Sequence, residues 1–211
     1  MYINWYKTIR ASFEDILPPE QERLGFRDIF QKLTENDLLM LQQTYSFSDF
    51  FKPGGEGAAF IDSKTGHIVK ITEEDEELTN AVQIMSNGSE FFVPVFNAFV
   101  LPDSGVFVIE EGYADELSAQ EYQYIKYIHN DMVSIEFSNE MFSPYYKQKL
   151  QDQMKYSTRF SLDIQAFSVL FDKYINLIKG ISKSGFDVSD THEDNIGWYE
   201  GRLVRFDFGY M

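Results

Sequence analysis

The sequence predicts an α+β fold of two lobes, and three observations carry that expectation. Five strand-like runs crowd between residues 46 and 112. Helical periodicity dominates residues 114–185, and a short hairpin pattern follows it. Strands first, helices second and a hairpin last fit no all-α, all-β or alternating β/α arrangement.

Residues 1–45 read as a helical extension. Trp5, Ile9, Phe13 and Ile16 fall at helical spacing, and Pro18-Pro19 breaks that segment. Leu24, Phe26, Ile29, Phe30 and Leu33 follow, and Thr34 caps a third segment with Asp37 three positions on. From Ser46 the pattern changes to strands. The first carries Phe47, Phe50 and Phe51 and ends at Pro53; a bend, Gly54-Gly55-Glu56-Gly57, leads to a second at 58–62. A Thr65-Gly66 turn precedes a third strand at 67–71, and Thr72 is expected to cap an acidic helix over 73–85. Two further strand-like runs, 91–101 and 106–110, are joined by Pro102-Asp103-Ser104-Gly105. Helices are expected over 118–130, 144–156 and 161–183, the last ended by Gly185. A Glu200-Gly201 turn separates the closing strands, 196–199 and 203–206. The expected divisions are therefore 1–45, 46–112 and 113–211.

Composition narrows the functional classes. Of 211 residues, 44% are apolar and 17% aromatic, enough for a core despite a net charge of −16. That charge repels a polyanion, so nucleic acid is not an expected partner. It is compatible with an acidic protein that meets basic protein partners, or with nothing more than solubility. With no cysteine, disulfides, thiolate metal sites and a cysteine nucleophile are excluded. No apolar run approaches the about 18 residues a bilayer span needs, so no membrane is expected. The early acids of the N-terminus do not read as a signal peptide, and the expected setting is the cytoplasm of a bacterial or host cell.

The residues with the most chemical content lie late in the chain: Asp190-Thr191-His192-Glu193-Asp194-Asn195, then Asp207-Phe208-Gly209. Phosphoryl transfer needs a carboxylate on the acceptor hydroxyl, oxygen ligands on Mg²⁺ and a rigid frame that converges them. Asp190 and Asn195 share one loop, and Asp207 follows Asn195 across the hairpin. A hairpin joins its own two ends, so Asn195 and Asp207 are expected together at its mouth. Amide and carboxylate oxygens are hard ligands suited to magnesium.

At this point the sequence resembles the protein-kinase-like superfamily. D-T-H-E-D-N matches the D-x-H-x-x-N loop of aminoglycoside and choline kinases more than that of eukaryotic protein kinases, and F-D-F-G matches the metal-binding DFG motif. The resemblance implies a bilobal kinase-like fold with a five-stranded N-lobe over 46–112 and a reduced helical C-lobe over 113–211. It implies Asp190 as catalytic base and Asn195 and Asp207 as Mg²⁺ ligands. Where such loops usually read H-x-D, this chain has Val188-Ser189-Asp190. The N-terminal half is similar in the same order. Gly54, Gly55, Gly57 and Ala58 fit a glycine-rich bend over ATP phosphates. Lys70, in Ile68-Val69-Lys70-Ile71, fits the lysine on the α/β-phosphates. Its partner is expected on the next helix, where spacing does not choose among Glu73, Glu74, Glu76 and Glu77; we favour Glu77, although counting back from the next strand points to Gln83, which cannot form an ion pair. The stretch Ile109-Glu110-Glu111-Gly112-Tyr113 looks like the hinge, with Glu110 and Gly112 beside the adenine. Two residues follow Gly209, so no activation segment is expected, and the lower lobe is expected from 114–185.

The implied activity is an Mg²⁺/ATP-dependent kinase acting on a hydroxyl, with a protein acceptor preferred over a small molecule. Three other readings stay open: a pseudokinase that binds nucleotide or an inhibitory protein partner, a small-molecule kinase, and an AMP transferase. The three histidines lie far apart in sequence and no cysteine is present, so zinc is not expected.

Overall fold

A computed structural model of the chain describes residues 29–53, 57–88, 90–135, 139–155 and 163–207. They fall into two compact units. One holds the described residues of 29–88 with Val93–Tyr113; the other holds Glu90–Phe92 with Ala114–Asp207. The class is α+β, as the order of periodicities predicts. The helices expected before residue 29 lie outside the described residues.

In the first unit, residues 29–32 are helical and α1 spans Glu35–Thr44. Thr34 starts α1 through a capping box, its hydroxyl accepting from the Asp37 N–H while the Asp37 carboxylate accepts from the Thr34 N–H, both at 3.2 Å. The strands are β1 (Phe47–Pro53), β2 (Gly57–Asp62), β3 (Ile68–Thr72), β4 (Val95–Val100) and β5 (Phe107–Glu111), with helix α2 (Asp75–Asn87) between β3 and β4. Strands β2, β3, β5 and β4 pair antiparallel in that order, and β1 adds beside β2 with two register shifts.

Register places Ala58 opposite Ile71 and Phe60 opposite Val69, so these four side chains share one face. Leu38 and Leu41 of α1 and Ile29, Phe30 and Leu33 before it bury against that face. Each fully buried side chain of this kind contributes roughly 2 kcal/mol. The segment read as an extension is thus core over its described part, 29–45. The opposite face carries Lys70, between Ala59 and Ile109. Glu77, Ala81 and Ile84, one turn apart along α2, are that helix's buried stripe.

Two expectations about this region need correction. Thr72 does not cap α2: it completes β3, and its hydroxyl accepts from the Glu74 N–H at 3.2 Å, so the helix begins at Asp75. The run 91–101 is not one strand. Pro94 lacks the N–H that a ladder needs, and the pairing starts at Val95. Residues Glu90–Phe92 belong to the second unit, where the Phe91 carbonyl accepts from the Arg205 N–H at 3.0 Å.

The second unit contains α3 (Ala119–Ser134), a 3-10 turn (Asn139–Phe142), α4 (Pro144–Lys155), α5 (Ile164–Lys183) and the hairpin β6 (Ile196–Tyr199) and β7 (Arg202–Arg205). Ser118 and Asp163 cap α3 and α5 through side-chain hydrogen bonds. Helix α5 is the core element, with Phe167, Leu170, Phe171, Tyr174 and Ile178 buried at helical spacing. A Cβ at Gly180 would overlap the Phe91 ring at 2.2 Å, so residues 90–92 dock where α5 has no side chain. The β6–β7 turn holds Glu200 at φ 49° and Gly201 at φ 77°, a tight hairpin with both central residues left-handed. Among the described residues, no helix is long and apolar enough to cross a membrane.

Candidate functional site

In the first unit, the β-branched run around Lys70 makes β3 a central strand with both edges paired. A polar side chain there must find its partner on a sheet face. Lys70 finds Glu77 of α2, and the two form an ion pair. Of the four acids that spacing leaves open, burial singles out Glu77, at 1% side-chain exposure, whereas Glu73 pairs with Lys32 at the surface. Gly57 lies opposite Thr72, and a Cβ there would come within 2.6 Å of the Ile71 carbonyl oxygen. Close strand approach therefore requires that glycine. The Ala58 side chain points into the core on the face away from Lys70, so only its backbone can serve a site there. Gly54 and Gly55 lie outside the described residues.

The expected hinge residues have other engagements. The Glu110 carboxylate pairs with His67 Nδ1 at 2.7 Å, and that ring stacks on Phe96. The Gly112 N–H donates to the Pro94 carbonyl at 2.9 Å, which removes it as a donor to an adenine ring. The sequence does not disclose either bond, because each joins strands remote along the chain.

In the second unit, the loop 190–195 and the segment after β7 come together. The Phe206 N–H donates to the Asn195 carbonyl at 3.1 Å, extending the hairpin ladder by one step. Asn195 and Asp207 are thereby brought to the mouth of the hairpin. The Asn195 amide nitrogen donates to the Asp190 carbonyl at 3.1 Å. That bond fixes the amide orientation: the nitrogen faces an acceptor, and Oδ1 is turned the other way. Phe208 and Gly209 lie outside the described residues.

Arg205, absent from the sequence-based set, joins these pieces. Its Nη2 donates to Asp190 Oδ2 at 2.7 Å, its Nη1 to the Asp187 carbonyl at 2.8 Å and its Nε to the Asp207 carbonyl at 2.6 Å. The signal was available. In L-V-R-F a cation stands among apolar residues, the same feature that marks Lys70 in I-V-K-I.

One face of α3 holds the loop from outside. Tyr122 donates to Asp194 at 2.9 Å, and Lys126 pairs with Glu193 at 2.8 Å. His129, the next residue on that face, bonds the Tyr174 hydroxyl at 2.8 Å. Tyr174 in turn donates to the Thr191 carbonyl at 2.6 Å, so His129 must supply the proton of their shared bond from Nδ1. Burial lowers the His129 pKa, with His192 adding to the effect, and keeps it neutral. His192 is shifted the other way: its hydrogen bond to Asp190 raises its pKa against the opposing effect of burial. Burial pushes the Tyr174 hydroxyl up, which preserves it as a donor.

Among the described residues, no group of three or more His, Asp or Glu side chains gathers as a metal site. An asparagine–aspartate pair is a smaller donor set. Magnesium is usually held by only one or two carboxylates when phosphates and water complete its shell. Set against known proteins, the chain matches no family model, and no curated protein matches it.

Proposed function

We propose that this chain is a protein-kinase-like Mg²⁺/ATP-dependent phosphotransferase that moves the γ-phosphate of ATP to a hydroxyl, on a protein acceptor. One observation carries the reading. The acceptor-side carboxylate and both metal-ligand candidates belong to one hydrogen-bonded frame, in which Asn195 is oriented by Asp190 and a single guanidinium holds both Asp190 and Asp207. The Lys70–Glu77 ion pair on β3 and α2 supports it independently.

In this reading Lys70 neutralises α/β-phosphate charge, with Glu77 holding its ammonium group. Asp190 orients the acceptor hydroxyl. The hydroxyl oxygen bonds to the γ-phosphorus, the bond from that phosphorus to the β–γ bridging oxygen breaks, and ADP leaves with the electron pair. The hydroxyl proton passes to the Asp190 carboxylate. Magnesium supplies charge neutralisation and alignment of the phosphate oxygens. Asn195 Oδ1 and the Asp207 carboxylate would hold it, and the fixed amide orientation fits that role. The net charge of −16 favours a basic protein acceptor.

The test is thermal unfolding with ATP and Mg²⁺, followed by transfer into lysate from γ- and α-labelled ATP. Stabilisation is expected, because a ligand that binds only the native state must raise stability. Label should move from the γ position only. Stabilisation without transfer would leave a nucleotide-binding pseudokinase, transfer of α label would mark an AMP transferase, and no stabilisation would end the nucleotide reading.

A further inference from the structure

We propose that Arg205 is the positioning residue of the transfer step: it clamps Asp190 by one carboxylate oxygen, so that the other faces the acceptor. This rests on the phosphotransferase reading above.

Arg205 is 4% exposed, and its donors point in three directions, to a carboxylate and to two backbone carbonyls. A planar guanidinium fixes these partners relative to one another, which an ammonium on a flexible stem does not. Its own backbone is fixed as well. Arg205 lies opposite Ile196 in the hairpin, and its N–H donates to Phe91 at 3.0 Å. The clamp is therefore referenced to β7 rather than to the loop it holds.

Asp190 offers two oxygens. Oδ2 accepts from Arg205 at 2.7 Å. Oδ1 has the longer hydrogen bond, from His192 Nε2 at 3.4 Å. One oxygen is thus held tightly by the guanidinium, and the other, more loosely engaged, is the one placed to meet a hydroxyl. The third contact extends the effect: by accepting Nε, the Asp207 carbonyl ties the backbone of a metal-ligand candidate to the same group. One side chain thereby sets the spacing between the acceptor side and the metal side of the step. Rate depends on that spacing more steeply than affinity does, since an error of about 1 Å can cost roughly 10²-fold.

Stability alone accounts poorly for this arrangement. A buried ion pair contributes little net stability compared with apolar residues of the same size. Arg205 does not touch substrate, and its effect passes through Asp190 and Asp207.

The experiment compares wild type with Arg205→Lys and Arg205→Met by steady-state kinetics, with Mg²⁺/ATP thermal stabilisation measured alongside. Arg205→Lys keeps the charge and loses the fork. The expected result is a kcat lower by roughly 10²-fold, with KM for ATP within about threefold and nucleotide stabilisation retained. Arg205→Met should be slower still, so that lysine gives partial rescue. If Arg205→Met does not fold, Arg205→Lys decides alone. A kcat for Arg205→Lys within about threefold of wild type overturns the proposal, as does a loss that only follows the folded fraction. A wild type that transfers no phosphate overturns both this proposal and the phosphotransferase reading; active wild type with an unaffected Arg205→Lys overturns this one alone.

Discussion

Lys70 on β3 and Arg205 on β7 are each a cation set among apolar neighbours, and each is ion-paired with a shielded carboxylate. The pairs differ in which member is deeper. By side chain alone, Lys70 is 18% exposed against 1% for Glu77, whereas Arg205 is 5% exposed against 10% for Asp190. In the first unit the acid is the anchor and the cation faces outward. In the second unit both members are buried and differ little in depth. Under the proposed function Lys70 is the member that meets phosphate and Asp190 the member that meets a hydroxyl. The same two-residue device thus occurs once with its cation partly open and once with both partners buried.

Four experiments sharpen or break this comparison. The largest effect is expected from the residues proposed to meet reactants or metal. Asp190→Ala should lower transfer by about 10²–10⁴-fold and keep Mg²⁺/ATP stabilisation, while Lys70→Met and Asp207→Ala should lose both. Equal behaviour of Asp190→Ala and Lys70→Met would erase the distinction between the pairs.

Next come the stabilities. Lys70→Met takes the counter-charge away from a fully buried glutamate and should cost about 3 kcal/mol in urea unfolding. The double variant Lys70→Met/Glu77→Leu should recover most of that loss. Asp190→Ala should cost less, because Arg205 keeps two carbonyl acceptors. A larger loss for Asp190→Ala would make the second pair the costlier one to break.

Gly57→Ala separates sheet packing from the ion pair beside it. The added Cβ meets the Ile71 carbonyl oxygen at 2.6 Å, a contact that should cost about 1–3 kcal/mol. A neutral result would show that β2 and β3 separate easily and that strand packing does not fix the position of Lys70.

The smallest effect concerns Asp62, a buried carboxylate held mainly by neutral donors. Burial raises its pKa, but the Ser46 and Lys64 N–H groups and the Thr65 hydroxyl outweigh that and bring it below 3.8. A group lowered by folding adds stability above its unfolded pKa and loses it as pH falls through the folded one. Unfolding followed from about pH 5 down through the folded pKa, which lies below 3.8, should therefore show a decline that Asp62→Asn lessens. An unchanged slope in the variant would mean the titrating group is elsewhere.

Much of the fold was legible in the residues. The β-branched run I-V-K-I, the capping pair Thr34 and Asp37, the Glu200-Gly201 turn and the stripe of α5 each write a local rule, and local rules survive folding. The hairpin that joins Asn195 to the segment of Asp207 was legible for the same reason, since its two strands are adjacent in sequence. What failed was remote. Residues 91–94 read as strand because Phe91, Phe92 and Val93 are apolar, yet Phe91 fills the space above Gly180, which lies much later in the chain. Nor does the sequence around Gly112 disclose that its N–H bonds the Pro94 carbonyl.

Residue types and spacing by themselves determined the α+β class, most element positions and the polar groups of the candidate site. They could not decide which member of an ion pair is buried, which of four glutamates meets Lys70, or that Arg205 binds Asp190. Those outcomes depend on side chains that meet across strands and helices far apart along the chain. Burial in turn depends on every neighbour at once, so no window of sequence contains it.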